Sequence, residues 1–218
     1  MSEYNSDRVK SGLIQEWMLR EATACWQSAH GLVSDGLLGP NTEQAMVDAR
    51  EDDIEGDCPE LAKGALCVAR SDVGKGEEGG NNSGPYVEML FGKTYDGDDD
   101  DDGAWCAAFV SHCFEVASKE LNIELPIKLS YGAKALYSSF PIKSKTPNVG
   151  DVVCWDRGPL NADGTKSYKG HIGIVERVDG QIFHTIEGNV GSYPAKVRRF
   201  QYDLETQTRL EGFGRLDD

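Results

Sequence analysis

Basic side chains are scarce in this sequence. Twenty-two Lys and Arg stand against 37 Asp and Glu, a net charge of −15 over 218 residues. Phosphate backbones are bound through clustered cations, so the charge balance argues against a nucleic-acid partner. Long apolar runs are missing as well. Nothing approaches the roughly 18 residues of a membrane helix, and no membrane insertion is expected. The opening stretch MSEYNSDRVK lacks the apolar segment of a secretory signal, so synthesis in the cytoplasm is expected. No CxxC pair or His/Cys cluster has zinc-ligand spacing. The six cysteines therefore read as thiols of a reducing compartment, and no structural metal is expected.

What is present is unevenly placed. Residues 1–60 hold 13 acids and 4 bases, and six more acids crowd into the seven residues Asp96–Asp102. Outside these two places the chain is nearly neutral. The acid-rich start reads as helical, with apolar positions at Leu13, Trp17 and Ala24 in a span from Val9 to Ala29, and a second helix from about Thr42 to Ala49, capped by Asn41 or Thr42. Between them lies DGLLGPNT (residues 35–42), a turn similar to that of small three-helix peptidoglycan-binding modules; the plainer reading is a Gly-rich turn between two helices.

The acidic hinge EDDIEGDC (51–58) separates residues 1–56, a helical N-terminal region, from residues 57–218. Helices are expected over Glu60–Val73, Tyr86–Phe91 and Trp105–Lys119, the last nearly apolar throughout and so buried. Strands follow: Asp151–Trp155, then His171–Val178 and Gln181–Glu187 joined at Asp179 and Gly180, then Ala195–Tyr202 and Thr208–Gly214. Helices first and strands second indicate an α+β domain with helices packed on an antiparallel sheet.

Cys106 is the first candidate for chemistry. At the first turn of a buried helix, free N–H groups and the helix dipole favour a thiolate and can hold an oxyanion. Cys113, in mid-helix, has neither advantage. Taken alone, Cys106 reads first as a small buried hydrophobe. A thiolate nucleophile needs a base, and the base a third group to orient it. His171 opens a strand beside Gly170, and Glu187 and Asn189 close the next one on a shared face. A two-residue turn at Asp179 and Gly180 would turn Glu187 away from His171. A three-residue turn, Val178–Gly180, would set His171 directly across from Glu187, Ile172 from Ile186 and Val175 from Phe183. Function favours the second register. His30, His112 and His184 are less well placed.

The motifs GAWCAAFV (103–110), GDVV (150–153), GHIGIV (170–175) and EGN (187–189) stand in the order seen in CHAP-type cysteine amidohydrolases, which belong with the NlpC/P60 peptidases among papain-like enzymes. The segment GKGEEGGNNSGP (74–85) also resembles members found in phage lysis proteins and bacterial cell-wall effectors. The resemblance implies a papain-like domain with Cys106 as nucleophile, His171 as base, Glu187 as its orienting partner and Asn189 as a supporting polar group. Trp105 and Asn82 are expected to contact substrate, with Asn81 or Asn82 near the oxyanion. The implied substrate is peptidoglycan, cut at an amide as an endopeptidase or an N-acetylmuramoyl-L-alanine amidase, by a lytic protein or an antibacterial effector. It would act in the periplasm or cell wall after release or secretion. The partner would then be an immunity protein or a phage or secretion component. A catalytically silent wall-binding or virion protein of the same fold is the alternative, disfavoured by the presence of all four site residues. No cofactor is required. The Asp96–Asp102 run opens like an EF-hand loop but has Phe109 where the closing Glu belongs. It reads either as a solvated acidic loop or, as in some CHAP-type enzymes, as a calcium site.

Overall fold

The structure, a computed structural model, describes residues 16–29, 32–43, 45–46, 58–92 and 103–217. The chain divides into two compact units, Met1–Asp53 and Ile54–Asp218. Among the described residues no helix is long and apolar enough to cross a membrane.

In the first unit, α1 spans Glu16–Ala29. Helix resumes at Pro40, two residues earlier than expected, because proline suits the first helical position and leaves capping to the Gly39 carbonyl. The turn between them is built on Gln27, which is 1% exposed. Its amide donates to Asp35 Oδ1, the Leu37 carbonyl and Thr42 Oγ1, and its carbonyl accepts from the Gly36 N–H at 2.9 Å.

The second unit begins with α2 (Glu60–Asp72) and α3 (Pro85–Phe91), followed by α4 (Cys106–Leu121) and α5 (Ala133–Ser139). Six strands follow: β1 (Ile142–Ser144), β2 (Val152–Asp156), β3 (Gly170–Asp179), β4 (Ile182–Val190), β5 (Lys196–Asp203) and β6 (Leu210–Arg215). They form one antiparallel sheet in the order β1-β6-β2-β3-β4-β5. The expected α+β class holds.

Helix α4 is the centre of the core, as its apolar composition requires. Ala107, Ala108, Phe109, Val110, Phe114 and Ala117 are buried with Ile172, Ile174 and Ile186 from one face of the sheet. It ends where Asn122 takes a left-handed conformation. The other face carries a smaller aromatic cluster of Val153, Trp155, Val175, Phe183 and Phe213. Alternation places His171, Thr185 and Glu187 on this second face.

The β3–β4 register differs from both expected forms. The turn is the two-residue pair Gly180 and Gln181, with Asp179 opposite Ile182 and Gly180 at φ +64° in the first turn position. Glu176 is an extra residue between Val175 and Arg177, so that Val175 pairs with Thr185 and Ile174 with Ile186. Without this bulge the register would set Glu187 opposite Ile174, on the α4 face. The bulge moves it across by one and returns Glu187 to the face of His171. Arg70 and Arg199 both pair with the Glu176 carboxylate, which anchors the bulge.

Candidate active site

Cys106 is the first residue of α4 and 6% exposed. Its position depends on Gly188 in β4, where a Cβ would lie 2.7 Å from the Trp105 ring and 2.9 Å from Phe109 Cβ. Glycine there lets the strand lie directly against the start of the helix. The Ile172 N–H at the head of β3 favours the thiolate form of Cys106. The helix tip and the strand that carries His171 thus meet near Cys106.

His171 is buried, with its ring stacked on Trp155 at a centroid distance of 5.7 Å. Its Nε2–H donates to Glu187 Oε2 at 2.7 Å. The other ring nitrogen, Nδ1, is buried and makes no hydrogen bond of good geometry. With Nε2 engaged, Nδ1 is the ring nitrogen left to exchange a proton with the Cys106 thiol, which lines the same cleft. Glu187 is fully buried, and its second oxygen accepts from Thr185 Oγ1. Tyr202 also interacts with this carboxylate, and burial together with Glu187 pushes the phenol well above its usual range. A buried carboxylate needs such partners, and here they fix its orientation toward the imidazole.

The electrostatics follow from this chain of contacts. Burial works against a charged Cys106, but the His171 imidazole, the Ile172 N–H and the charge of Arg157 outweigh it and hold the thiol below its ordinary 9.0. Burial likewise disfavours a charged His171, yet Cys106 and Glu187 outweigh it and lift the imidazole above 6.5. Each group favours the ionised form of the other. The arrangement can make a thiolate beside an imidazolium, with the first-turn N–H groups of α4 ready for an oxyanion. By contrast, burial and Asp72 push Cys113 up, as befits an inert core thiol.

Cys106, His171 and Asn189 line one cleft of about 190 Å³. Asn189 is half-buried and left-handed at φ +58°. Trp105 does not line it. The side chain expected to touch substrate is wholly buried, because its ring lies between α4 and β4 and its indole N–H donates to Glu77 at 3.3 Å. Asn82 is partly buried beside Gly103, three positions before Cys106, and is not among the cleft-lining residues. The Asp96–Asp102 run lies outside the described residues. His112 faces Asp72 at 3.8 Å and His184 bonds to Asp179, so neither joins the site.

Sequence reasoning missed Glu77, Trp155, Thr185 and Tyr202. Thr185 was within reach, since it stands two residues before Glu187 on the same strand face. Glu77 is 1% exposed and accepts from the Asn82 N–H (2.9 Å), the Trp105 indole and the Ala195 N–H (2.6 Å). It ties together three segments around the start of α4.

Residues 98–189 match the family model of the CHAP domain, in agreement with the motifs read from the sequence. No curated protein matches the chain. Among solved structures it is similar to Ly7917 with the hydrolyzing product of MDP, at TM-score 0.43 and 18% identity over 71% of this chain and 62% of that one. Ly7917 alone gives TM-score 0.42 and 19% identity over the same shares. A protein described as similar to a lipoprotein of the NLP/P60 family, from Staphylococcus aureus subsp. aureus Mu50, gives TM-score 0.41 and 15% identity over 81% and 48%. The chain thus spans less than two thirds of each of these proteins.

Proposed function

We propose, from the CHAP domain that this chain carries over residues 98–189, that the protein is a peptidoglycan hydrolase cutting an amide bond with Cys106 as nucleophile. The observation that carries this reading is that His171 lines one cleft with Cys106 while its Nε2 is bonded to the buried Glu187. A nucleophile, a base and an orienting acid in series are what acyl transfer requires, and a binding module has no use for them.

The steps follow from the geometry. His171 takes the Cys106 proton at Nδ1, and the thiolate attacks the amide carbonyl carbon. Charge develops on the carbonyl oxygen, which the Cys106 backbone N–H and its neighbours in the first turn can hold. The C–N bond then breaks as the imidazolium passes its proton to the leaving amine. This leaves a thioester on Cys106. His171 next takes a proton from water, the hydroxide displaces the thiolate, and a carboxylic acid product departs. Glu187 keeps Nε2 protonated throughout, so that Nδ1 is the nitrogen that exchanges the proton.

Mass spectrometry of fragments from purified peptidoglycan tests the reading and identifies the bond. New amine and carboxyl ends are expected with the native chain. Cys106→Ala should lower turnover by about three orders of magnitude or more while leaving the fold intact by circular dichroism. Undiminished digestion by that variant would refute the mechanism.

A further inference from the structure

Among the described residues, the lining of the cleft around Cys106 differs in charge from the acidic chain. Apart from the reacting pair, its ionisable cations are Arg157 and Lys169, and no carboxylate of the described residues lines it. The two stand at the root of the excursion between β2 and β3, where the Arg157 N–H donates to the Lys169 carbonyl at 3.1 Å. Both side chains are exposed, and neither forms an ion pair or side-chain hydrogen bond among the described residues.

That is unusual in so acidic a protein, and the surroundings explain how it is kept. Two acids of the described residues on this side of the sheet are already paired with other cations. Asp156 pairs with Lys134 at 2.6 Å, and Glu211 pairs with Lys166 at 2.7 Å. Lys134 also donates to the Ser167 carbonyl, and Arg209 donates to the Gly158 carbonyl. These bonds pin both ends of the excursion, so the backbone that carries Arg157 and Lys169 is held beside Gly170 and His171. Two unpaired cations on a fixed stem, next to a nucleophile, suit an anionic ligand group. Arginine adds the planar fork that matches a carboxylate.

We propose that Arg157 and Lys169 form a carboxylate-binding subsite, so that the enzyme selects amide bonds flanked by a free rather than an amidated carboxyl group. The inference rests on the hydrolase reading above and supplies its substrate class. Arg157 also acts on the Cys106 thiol, so the test must separate recognition from reactivity.

Soluble muropeptides are compared with the same material after carbodiimide coupling to ammonia, which turns carboxylates into carboxamides of the same shape. The native chain is expected to favour the free-acid set by about 10- to 100-fold in kcat/KM. Arg157→Met and Lys169→Met should each shrink that ratio, chiefly through KM, and the double variant should bring it near one. Arg177→Met, a cation removed at the β3–β4 hairpin, should keep the ratio. The pH profile of iodoacetamide labelling at Cys106 reports thiol reactivity separately. Equal cleavage of both sets by the native chain would overturn the subsite while leaving the hydrolase standing. So would a ratio that survives in the double variant. Cleavage of neither set, nor of intact peptidoglycan, would overturn the hydrolase reading and the subsite with it.

Discussion

Gly173 and Glu187 share one place on the sheet. A Cβ on Gly173 would lie 2.5 Å from Glu187 Cγ and 3.1 Å from the Ile186 carbonyl. Continuing the β3–β4 register beyond Ile174 and Ile186 sets these two residues opposite each other, with His171 one step further along β3. Glu187 therefore reaches His171 diagonally, across the space that a side chain at 173 would fill.

Gly173→Ala should push Glu187 off the imidazole without removing any ionisable group. A displacement of about 1 Å in such a site is worth about 100-fold in rate, and kcat/KM on muropeptides should fall by about that much. The His171 ring should also lose its upward shift, which NMR titration of the imidazole would read. A fully active variant whose imidazole keeps its raised value would show that the close approach does not govern the base.

Glu187→Gln tests the charge rather than the position. His171 is held above its ordinary value. Its contribution to stability is therefore fully present below about pH 6.5 and is lost as pH rises through the raised value. Cys106 is held below its ordinary value. Its contribution is present above about pH 9 and is lost as pH falls through the lowered value. Glutamine removes the anion that favours the imidazolium, so the alkaline limb of the activity profile should move to lower pH. The dependence of Tm on pH should flatten over the same range. Unmoved limbs would mean that Glu187 acts only as a spacer.

The elements that were legible in the sequence are those with a long periodic signal. Helix α4 and strands β2 to β4 are buried along most of their length, and a buried face imposes a pattern. Helix α5 buries only Ala133 and Leu136, and β1 is a three-residue edge strand with two exposed residues; neither has a period to detect. Cys106, His171 and Glu187 could be named from residue type and spacing. The path by which His171 and Glu187 meet could not, because a single bulged residue, Glu176, changes the face of everything beyond it. Trp105 was misread for a related reason: proximity in sequence to a nucleophile says nothing about which side of the helix tip faces the cleft. Contacts that depend on distant segments, such as Tyr202 with Glu187 or Glu77 with Ala195, leave no local trace at all.

Glu77 is expected to position the nucleophile without touching substrate. Glu77→Ala leaves the buried N–H groups of Trp105 and Ala195 without an acceptor, a cost of about 3 kcal/mol or more in chemical denaturation. Glu77→Gln keeps one oxygen for Asn82 and Trp105 but turns an N–H toward Ala195. It should cost less and should recover part of the activity. Because the indole precedes Cys106 directly, the loss should appear in kcat more than in KM. Equal stability of the alanine variant and the native chain would remove this role.

The N-terminal unit makes a separate prediction. Gln27 satisfies four groups of the turn at once through both ends of one amide. Gln27→Leu preserves bulk but deprives the Gly36 N–H, the Leu37 carbonyl and Thr42 Oγ1 of their partner. The unsatisfied groups should cost about 1–3 kcal/mol of local stability. Gly36 is held at φ +71° with the Arg20 carbonyl 2.6 Å from where its Cβ would stand, so the turn has little freedom to find other partners. Hydrogen exchange at the Gly36 and Leu37 amides should therefore quicken together, while amides of α4 and β3 keep their protection. Leu37 has its own acceptor in Asp35 at 2.9 Å, so its exchange reports the turn opening as a unit rather than the loss of one bond. If Gly36 alone quickened, Gln27 would be a local acceptor and the turn would be held by other contacts.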